Sequence, residues 1–185
     1  MKSIRLTIAV VAGLFAASAW AGYADDRAEI ENVSNKYMVA VVAGDIETVM
    51  GTWADDGVLE WVFGTEVGKA AIRKAMSNFG GARPVDIPEG AKSRPRTRHQ
   101  IINHVIDVTG NTAKSTAYWF AFTNNTPQGD VQLLYFGHYE DEMVKVNGKW
   151  LFQKRHVYNE SRDNRAVFYP GLGEKDPRQK KPAAK

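Results

Sequence analysis

Four histidines, His99, His104, His138 and His156, are the side chains best suited to move a proton near neutral pH. In an extended segment over residues 96–108, alternation sends Thr97, His99, Ile101, Asn103 and Val105 to one face. His104 falls on the other face with Arg98, Gln100, Ile102 and Ile106. A neutral imidazole at His99 has a pKa suited to general acid or base work, and Asn103 on the same face would orient a substrate oxygen. Farther along, His138 and Tyr139 precede Glu140-Asp141-Glu142. In the final strand, alternation groups His156 and Tyr158 with Trp150 and Phe152, apart from Arg155. Either late histidine is then a candidate partner for His99, its tautomer held by carboxylates from 140–142. The plainer reading makes His99 a structural histidine and the others polar groups on a surface strand.

The same spacings argue against a metal. No two histidines stand at i, i+2 or i, i+4, no H-E-x-x-H occurs, and cysteine is absent. Glycine-rich phosphate loops, serine elbows and dinucleotide fingerprints are missing too, so no cofactor is expected. Without cysteine the fold must hold by packing alone. Trp53, Trp61, Phe63, Tyr118, Trp119, Phe120, Phe122, Tyr135 and Phe136 make the domain rich in large rings. Most build the core, and those at an open end would favour a flat, apolar or aromatic ligand with few oxygens.

The elements that must position these groups begin with helices. Asp26 and Glu29 have capping-box spacing, after which Ile30, Val33, Tyr37 and Val41 share a helical face. Gly44 ends that helix and Asp45 caps a second, with Ile46, Val49, Met50 and Trp53 as its stripe. Asp55-Asp56-Gly57 reads as a turn and Val58–Phe63 as a short strand. Ala71, Ile72, Ala75, Met76 and Phe79 mark a third helix ending at Gly80-Gly81. A long connection over 80–95 leads to four strands at 96–108, 112–123, 131–146 and 149–158, the last two joined by an Asn147-Gly148 turn. Helices followed by long antiparallel strands specify an α+β fold, a curved sheet with helices packed on one side.

The first 21 residues have the parts of a secretory signal peptide. Lys2 and Arg5 are followed by an apolar run from Leu6 to Ala17 and small residues in Ala19-Trp20-Ala21. The run is shorter than the ~20 apolar residues of a membrane span, so a cleaved protein without a stable membrane anchor is expected, periplasmic or secreted. Cleavage leaves 164 residues, one domain over 22–173. The sequence pI of about 9.0 comes from the ends. Residues 22–173 hold 17 basic against 19 acidic side chains, and the basic tail 174–185 reads as disordered. A nucleic-acid partner is therefore not expected.

The chain resembles the nuclear-transport-factor/SnoaL-like superfamily. The resemblance rests on Tyr37-Met-Val-Ala-Val-Val-Ala-Gly-Asp45, Trp53-Ala-Asp-Asp-Gly57, Gly68-Lys-Ala-Ala-Ile72, Arg98-His99-x-x-x-Asn103 and Asn147-Gly-Lys-Trp150, covering roughly 25–158. It implies a cone-shaped antiparallel sheet that encloses an apolar pocket with three N-terminal helices. It implies that His99 points into the pocket as the proton-transfer group of dehydratase-type relatives, and that Tyr37 donates a hydrogen bond to a substrate oxygen. It also implies pairing into a homo-oligomer, a dimer, through the sheet. Two departures stand out. The aspartate that pairs with the histidine in dehydratase and dehydrochlorinase branches is Val42 here, and the isomerase aspartate falls on Trp61.

These readings lead to an exported, cofactor-independent lyase of dehydratase or retro-aldol type, or an isomerase. Its substrate would be a small apolar or aromatic oxygenated molecule. His99 and Tyr37 carry the chemistry, and Asn103, Trp61, Tyr118, His138, His156 and Tyr158 are candidate substrate contacts. The rival is a non-catalytic periplasmic binding protein of the same fold. Fold alone does not choose between them.

Overall fold

The computed structural model describes the backbone of residues 4–77 and 96–161, with side chains from residue 22 onward. Three helices, α1 (Ile4–Ala43), α2 (Ile46–Gly51) and α3 (Lys69–Met76), pack on one six-stranded sheet. Its strands are β1 (Trp53–Trp61), β2 (Gly64–Val67), β3 (Thr97–Thr109), β4 (Thr112–Thr123), β5 (Gln132–Val146) and β6 (Lys149–Asn159), in the order β2-β1-β6-β5-β4-β3. All neighbours pair antiparallel except β1 with β6. The sheet is curved and unclosed, and its inner face carries the core.

The helical stripe is seen as read from the sequence. Ile30, Tyr37 and Val41 are buried, joined by Ser34 and Met38 on the same face of α1. Gly44, at φ 74°, stops α1 in the left-handed region that favours glycine. Asp45 caps α2, accepting from Thr48 N at 3.1 Å and Thr48 Oγ1 at 2.6 Å. Asp26, however, is no cap. α1 continues unbroken through residues 4–25, and the Asp26 carboxylate instead binds Lys145 Nζ at 2.5 Å and Trp150 Nε1 at 2.8 Å. It ties α1 to the β5–β6 hairpin.

The strand boundaries agree within a residue over β3 to β6, and Asn147-Gly148 closes its hairpin with both residues at positive φ. The region before α3 differs. Residues 55–57 form no free turn. β1 starts at Trp53 and its register against β6 shifts between Trp53 and Val58, so the acidic pair rides an irregular strand. A Cβ on Gly57 would stand 2.9 Å from the Trp53 ring and 3.1 Å from Ala54 O, so glycine is required there. Phe63 lies in the turn to β2, a strand not anticipated. The expected end of the third helix at Gly80-Gly81, the 80–95 connection and the tail lie outside the described residues.

Trp53, Leu59 and Phe152 have no exposed surface, and Trp150 and Met143 retain 2 %. Burying each such side chain stabilises the fold by about 1.5–3 kcal/mol. Tyr37 meets Trp53 and Phe152 edge-on at 6.2 and 5.5 Å, fixing α1 over the centre of the sheet.

Candidate functional site

The inner face of β4 is made of small residues around one large ring: Ala113, Ser115, Ala117, Trp119, Ala121 and Thr123 are all buried. A cavity of about 200 Å³ remains between α1 and the sheet. His99 (β3), Tyr37 (α1), Trp119 (β4), Tyr139 (β5) and Asn159 (β6) line it, and Trp61, Val62, Phe63 and Tyr135 contribute toward its exposed side.

His99 reaches this cavity because β3 keeps strict alternation as far as Ile102, pairing His99 with Ala121 and Ile101 with Trp119. Its ring lies 6.1 Å from that of Trp119. Its Nδ1 is buried without a hydrogen-bond partner among the described residues. Burial lowers the imidazole pKa from its ordinary value, so the ring is neutral at pH 7. Tyr37 is 5 % exposed, and burial raises its pKa, the Arg155 charge opposing that shift. Its phenol therefore keeps its proton. One cavity thus holds a neutral base and a protonated donor, supplied by different elements.

Past Ile102 the alternation breaks. The register with β4 shifts between Ile102 and Val105, and Asn103 sits at φ 52°. An extra residue in the left-handed conformation is a β-bulge, which asparagine tolerates better than most residues. Asn103 is exposed here and is not a cavity residue. The bulge also returns His104 to the inner side, against the expectation that it faces away from His99. Its Nε2 is buried without a partner among the described residues, and burial lowers its pKa.

A second register shift, between Glu142 and Met143 opposite Phe152 and Lys154, reverses the faces of β6. Arg155, Val157 and Asn159 thereby point inward, where alternation from Trp150 predicts His156 and Tyr158. Tyr158 instead lies on the outer face, stacked between His138 at 4.3 Å and His156 at 3.8 Å. His138 Nδ1 contacts Glu160 Oε1 at 2.5 Å, and His156 Nδ1 lies 3.1 Å from Glu60 Oε2. Glu140 accepts from the Tyr158 hydroxyl at 3.3 Å. None of this cluster is available as a partner to His99. Tyr118 also faces outward, opposite His138, and is 41 % exposed. Of the predicted contacts, only Trp61 joins His99 and Tyr37 at the cavity. Val42 packs against the core beside the cavity-lining Val41 and does not itself line the cavity.

The sequence reading missed Arg155. Its Nε and Nη2 donate to Asp141 Oδ1 and Oδ2 at 2.7 and 2.8 Å, and the guanidinium lies 4.6, 4.2 and 4.0 Å from the ring centres of Tyr37, Tyr139 and Phe152. Nη1 has no hydrogen-bond partner among the described residues. Gly137 went unnoticed as well: a Cβ there would lie 1.8 Å from Tyr158 O and 3.0 Å from the Trp119 ring. Among the described residues, no three His, Asp or Glu side chains converge as metal ligands.

The fold recurs in solved structures. A nuclear-transport-factor-like protein with a cystatin-like fold from Novosphingobium aromaticivorans is 21 % identical, with 80 % of this chain and 90 % of that one covered and a TM-score of 0.65. A scytalone dehydratase-like protein from the same organism is 20 % identical, covering 79 % and 91 %, with a TM-score of 0.59. An aromatic ring hydroxylase-like protein, again from that organism, is 22 % identical, covering 72 % and 87 %, with a TM-score of 0.55. No curated protein matches the chain. The SnoaL-like domain family matches residues 22–156, most of the chain, and the protein belongs to that family.

Proposed function

We propose that the protein is an exported, cofactor-independent lyase or isomerase acting on a small apolar or aromatic oxygenated molecule. The observation that carries this reading is the shared cavity of His99 and Tyr37: a neutral imidazole with a nitrogen buried without a partner among the described residues, and a phenol that keeps its proton. In an elimination, His99 removes the proton α to a carbonyl while Tyr37 donates to the oxygen as it becomes an enolate. The electron pair then returns to expel a β-hydroxyl, which leaves as water with the proton from the imidazolium. Isomerisation uses the same groups and returns the proton to a different carbon. Trp61 and Trp119 offer flat apolar walls to an aromatic substrate. Two structures of the same fold, labelled a scytalone dehydratase and an aromatic ring hydroxylase, lend support to a small-molecule substrate.

In this reading residues 1–21 are a cleaved export signal, and the mature chain is periplasmic or secreted. Peptide mass mapping of the exported protein should find Gly22 as the first residue. Pairing into a homodimer through the outer face of the sheet is part of the same reading, because Tyr118, Ile102 and Leu134 stand exposed there.

The test is turnover of aromatic β-hydroxyketones and β,γ-unsaturated ketones by wild type and by His99→Ala. Loss of general base catalysis should lower kcat by about 10²–10⁴-fold with the fold intact. Full activity in His99→Ala would end the catalytic reading. A non-catalytic binding protein is the alternative, and one observation favours it: among the described residues no carboxylate orients His99, and Val42 stands where the resemblance puts an aspartate. Tight ligand binding with no turnover by wild type would establish that reading instead.

A further inference from the structure

Two phenols line the cavity, and the buried guanidinium lies against both. Tyr139 reaches the cavity from β5, its ring stacked on Trp119 at 5.9 Å and 26°. Tyr37 reaches it from α1. The Arg155 guanidinium lies 4.2 Å from the centre of the first ring and 4.6 Å from that of the second. Asp141 holds it there through two nitrogens, and its third nitrogen has no partner among the described residues. Arg155 is 1 % exposed and Asp141 3 %. A fully buried charged pair of this kind is costly to desolvate, and packing alone would be served equally well by apolar side chains. Its placement against two cavity tyrosines, and no others among the described residues, gives the pair a functional reading.

We propose that Tyr139 and Tyr37 form a two-donor site for an anionic oxygen of the ligand, with Arg155, clamped by Asp141, as the positioning residue that fixes both rings. The ligand class is a molecule that presents an enolisable carbonyl or an acidic phenol. This deepens the oxyanion half of the proposed function and rests on it, but it does not depend on His99. Burial keeps both phenols protonated, and the adjacent positive charge opposes that effect on each, which makes them stronger donors than buried phenols alone. The shape of the site agrees: the rings come from different elements, and the one guanidinium lies against both.

The probe is 4-nitrophenol, compared with 4-nitroanisole, which has the same ring but no ionisable oxygen. Wild-type protein should bind the phenolate, seen as its visible absorption appearing at lower pH than in free solution, and should bind nitroanisole more weakly. Tyr139→Phe and Tyr37→Phe keep the rings and remove one donor each. Each should weaken phenolate binding by about tenfold or more, with nitroanisole binding unchanged, as expected for a hydrogen bond to a charged acceptor. Equal phenolate affinity in wild type and Tyr139→Phe would overturn the two-donor site. Arg155→Lys should return the bound probe's ionisation toward that in solution. Should that variant fail to fold, the neutral pair Arg155→Gln with Asp141→Asn replaces it, and unchanged phenolate binding there would remove Arg155 from the proposal. His99→Ala separates the two readings. Retained phenolate binding with retained turnover would sink the base and leave the donor pair standing, while lost turnover with phenolate binding no better than nitroanisole in wild type would do the reverse.

Discussion

Arg155 and Asp141 stand directly opposite each other on β6 and β5, joined by hydrogen bonds of 2.7 and 2.8 Å, with side chains 1 % and 0 % exposed. Ser115 Oγ adds a longer contact to the same carboxylate at 3.4 Å. The in-register strand pairing presents the two groups to each other, and burial makes each dependent on its partner.

Removing only the carboxylate leaves a guanidinium charge in the core. Asp141→Ala should therefore cost about 3–5 kcal/mol of unfolding free energy. The double change Asp141→Leu with Arg155→Met should cost far less, since it removes both charges and keeps volume. Urea unfolding of the three proteins measures this. Equal losses in the single and double variants would show that packing, and not the uncompensated charge, dominates.

The bulge at Asn103 should behave as a backbone site. Asn103→Gly, which accepts a positive φ without a Cβ penalty, should leave stability and any activity near wild type. Asn103→Val, β-branched at φ 52°, should lose roughly 1–2 kcal/mol. If Asn103 instead bound substrate, the glycine variant would lose affinity with an unchanged melting temperature, and that result would reverse its present placement.

What could be read in the sequence follows from what periodicity records. The stripe Ile30, Tyr37, Val41 and the caps at Gly44 and Asp45 are local signals, and the structure keeps them. His99 and Tyr37 were legible because each precedes any irregularity in its own element. Period-two reasoning fails beyond a bulge, since one extra residue turns every later side chain to the opposite face. That accounts for Asn103 and His104 after the shift in β3, and for Arg155, His156 and Tyr158 after the shift in β6. The positive φ of Asn103 leaves only the residue type as a sequence clue. The Gln153-Lys154-Arg155 run leaves none. Asp26 shows another limit: its capping-box spacing is real, but the helix continues through it and the carboxylate serves Lys145 and Trp150.

Asp26 accordingly predicts a tertiary effect in place of a helix-start effect. Asp26→Asn retains an acceptor for the Trp150 indole but discards the charge facing Lys145, and Asp26→Ala discards both. The first should lose less than about 1 kcal/mol and the second on the order of 1–2 kcal/mol, in line with one part-buried charged hydrogen bond and one neutral one. Thermal unfolding of the two variants checks the order. Identical losses would mean that the indole contact contributes nothing measurable.

The histidines set the response to acid. Burial is the first cause lowering the pKa of His99, His104 and His156 below the ordinary 6.5. Asp141 opposes the shift at His104, and Glu60 and Glu140 oppose it at His156, without reversing the direction. In the unfolded chain these rings take up protons around pH 6.5, and in the folded chain only at lower pH. Below 6.5 the unfolded state therefore binds more protons, and stability falls as pH drops toward the folded values. Above 6.5 their contribution is complete and flat. The lowered Asp26 carboxylate acts in a separate window, below its ordinary 3.8, and does not overlap. Melting temperature should thus hold steady from pH 8 to 7 and decline between 6.5 and 5. Replacing His99 and His104 together by glutamine removes two of the three rings and keeps polar side chains of similar length. The decline should shrink in that variant, while in wild type the lowered His99 pKa lets catalysis by its neutral form persist below pH 6.5. An unaltered decline would place the acid sensitivity in His156 and would remove His99 and His104 as its source.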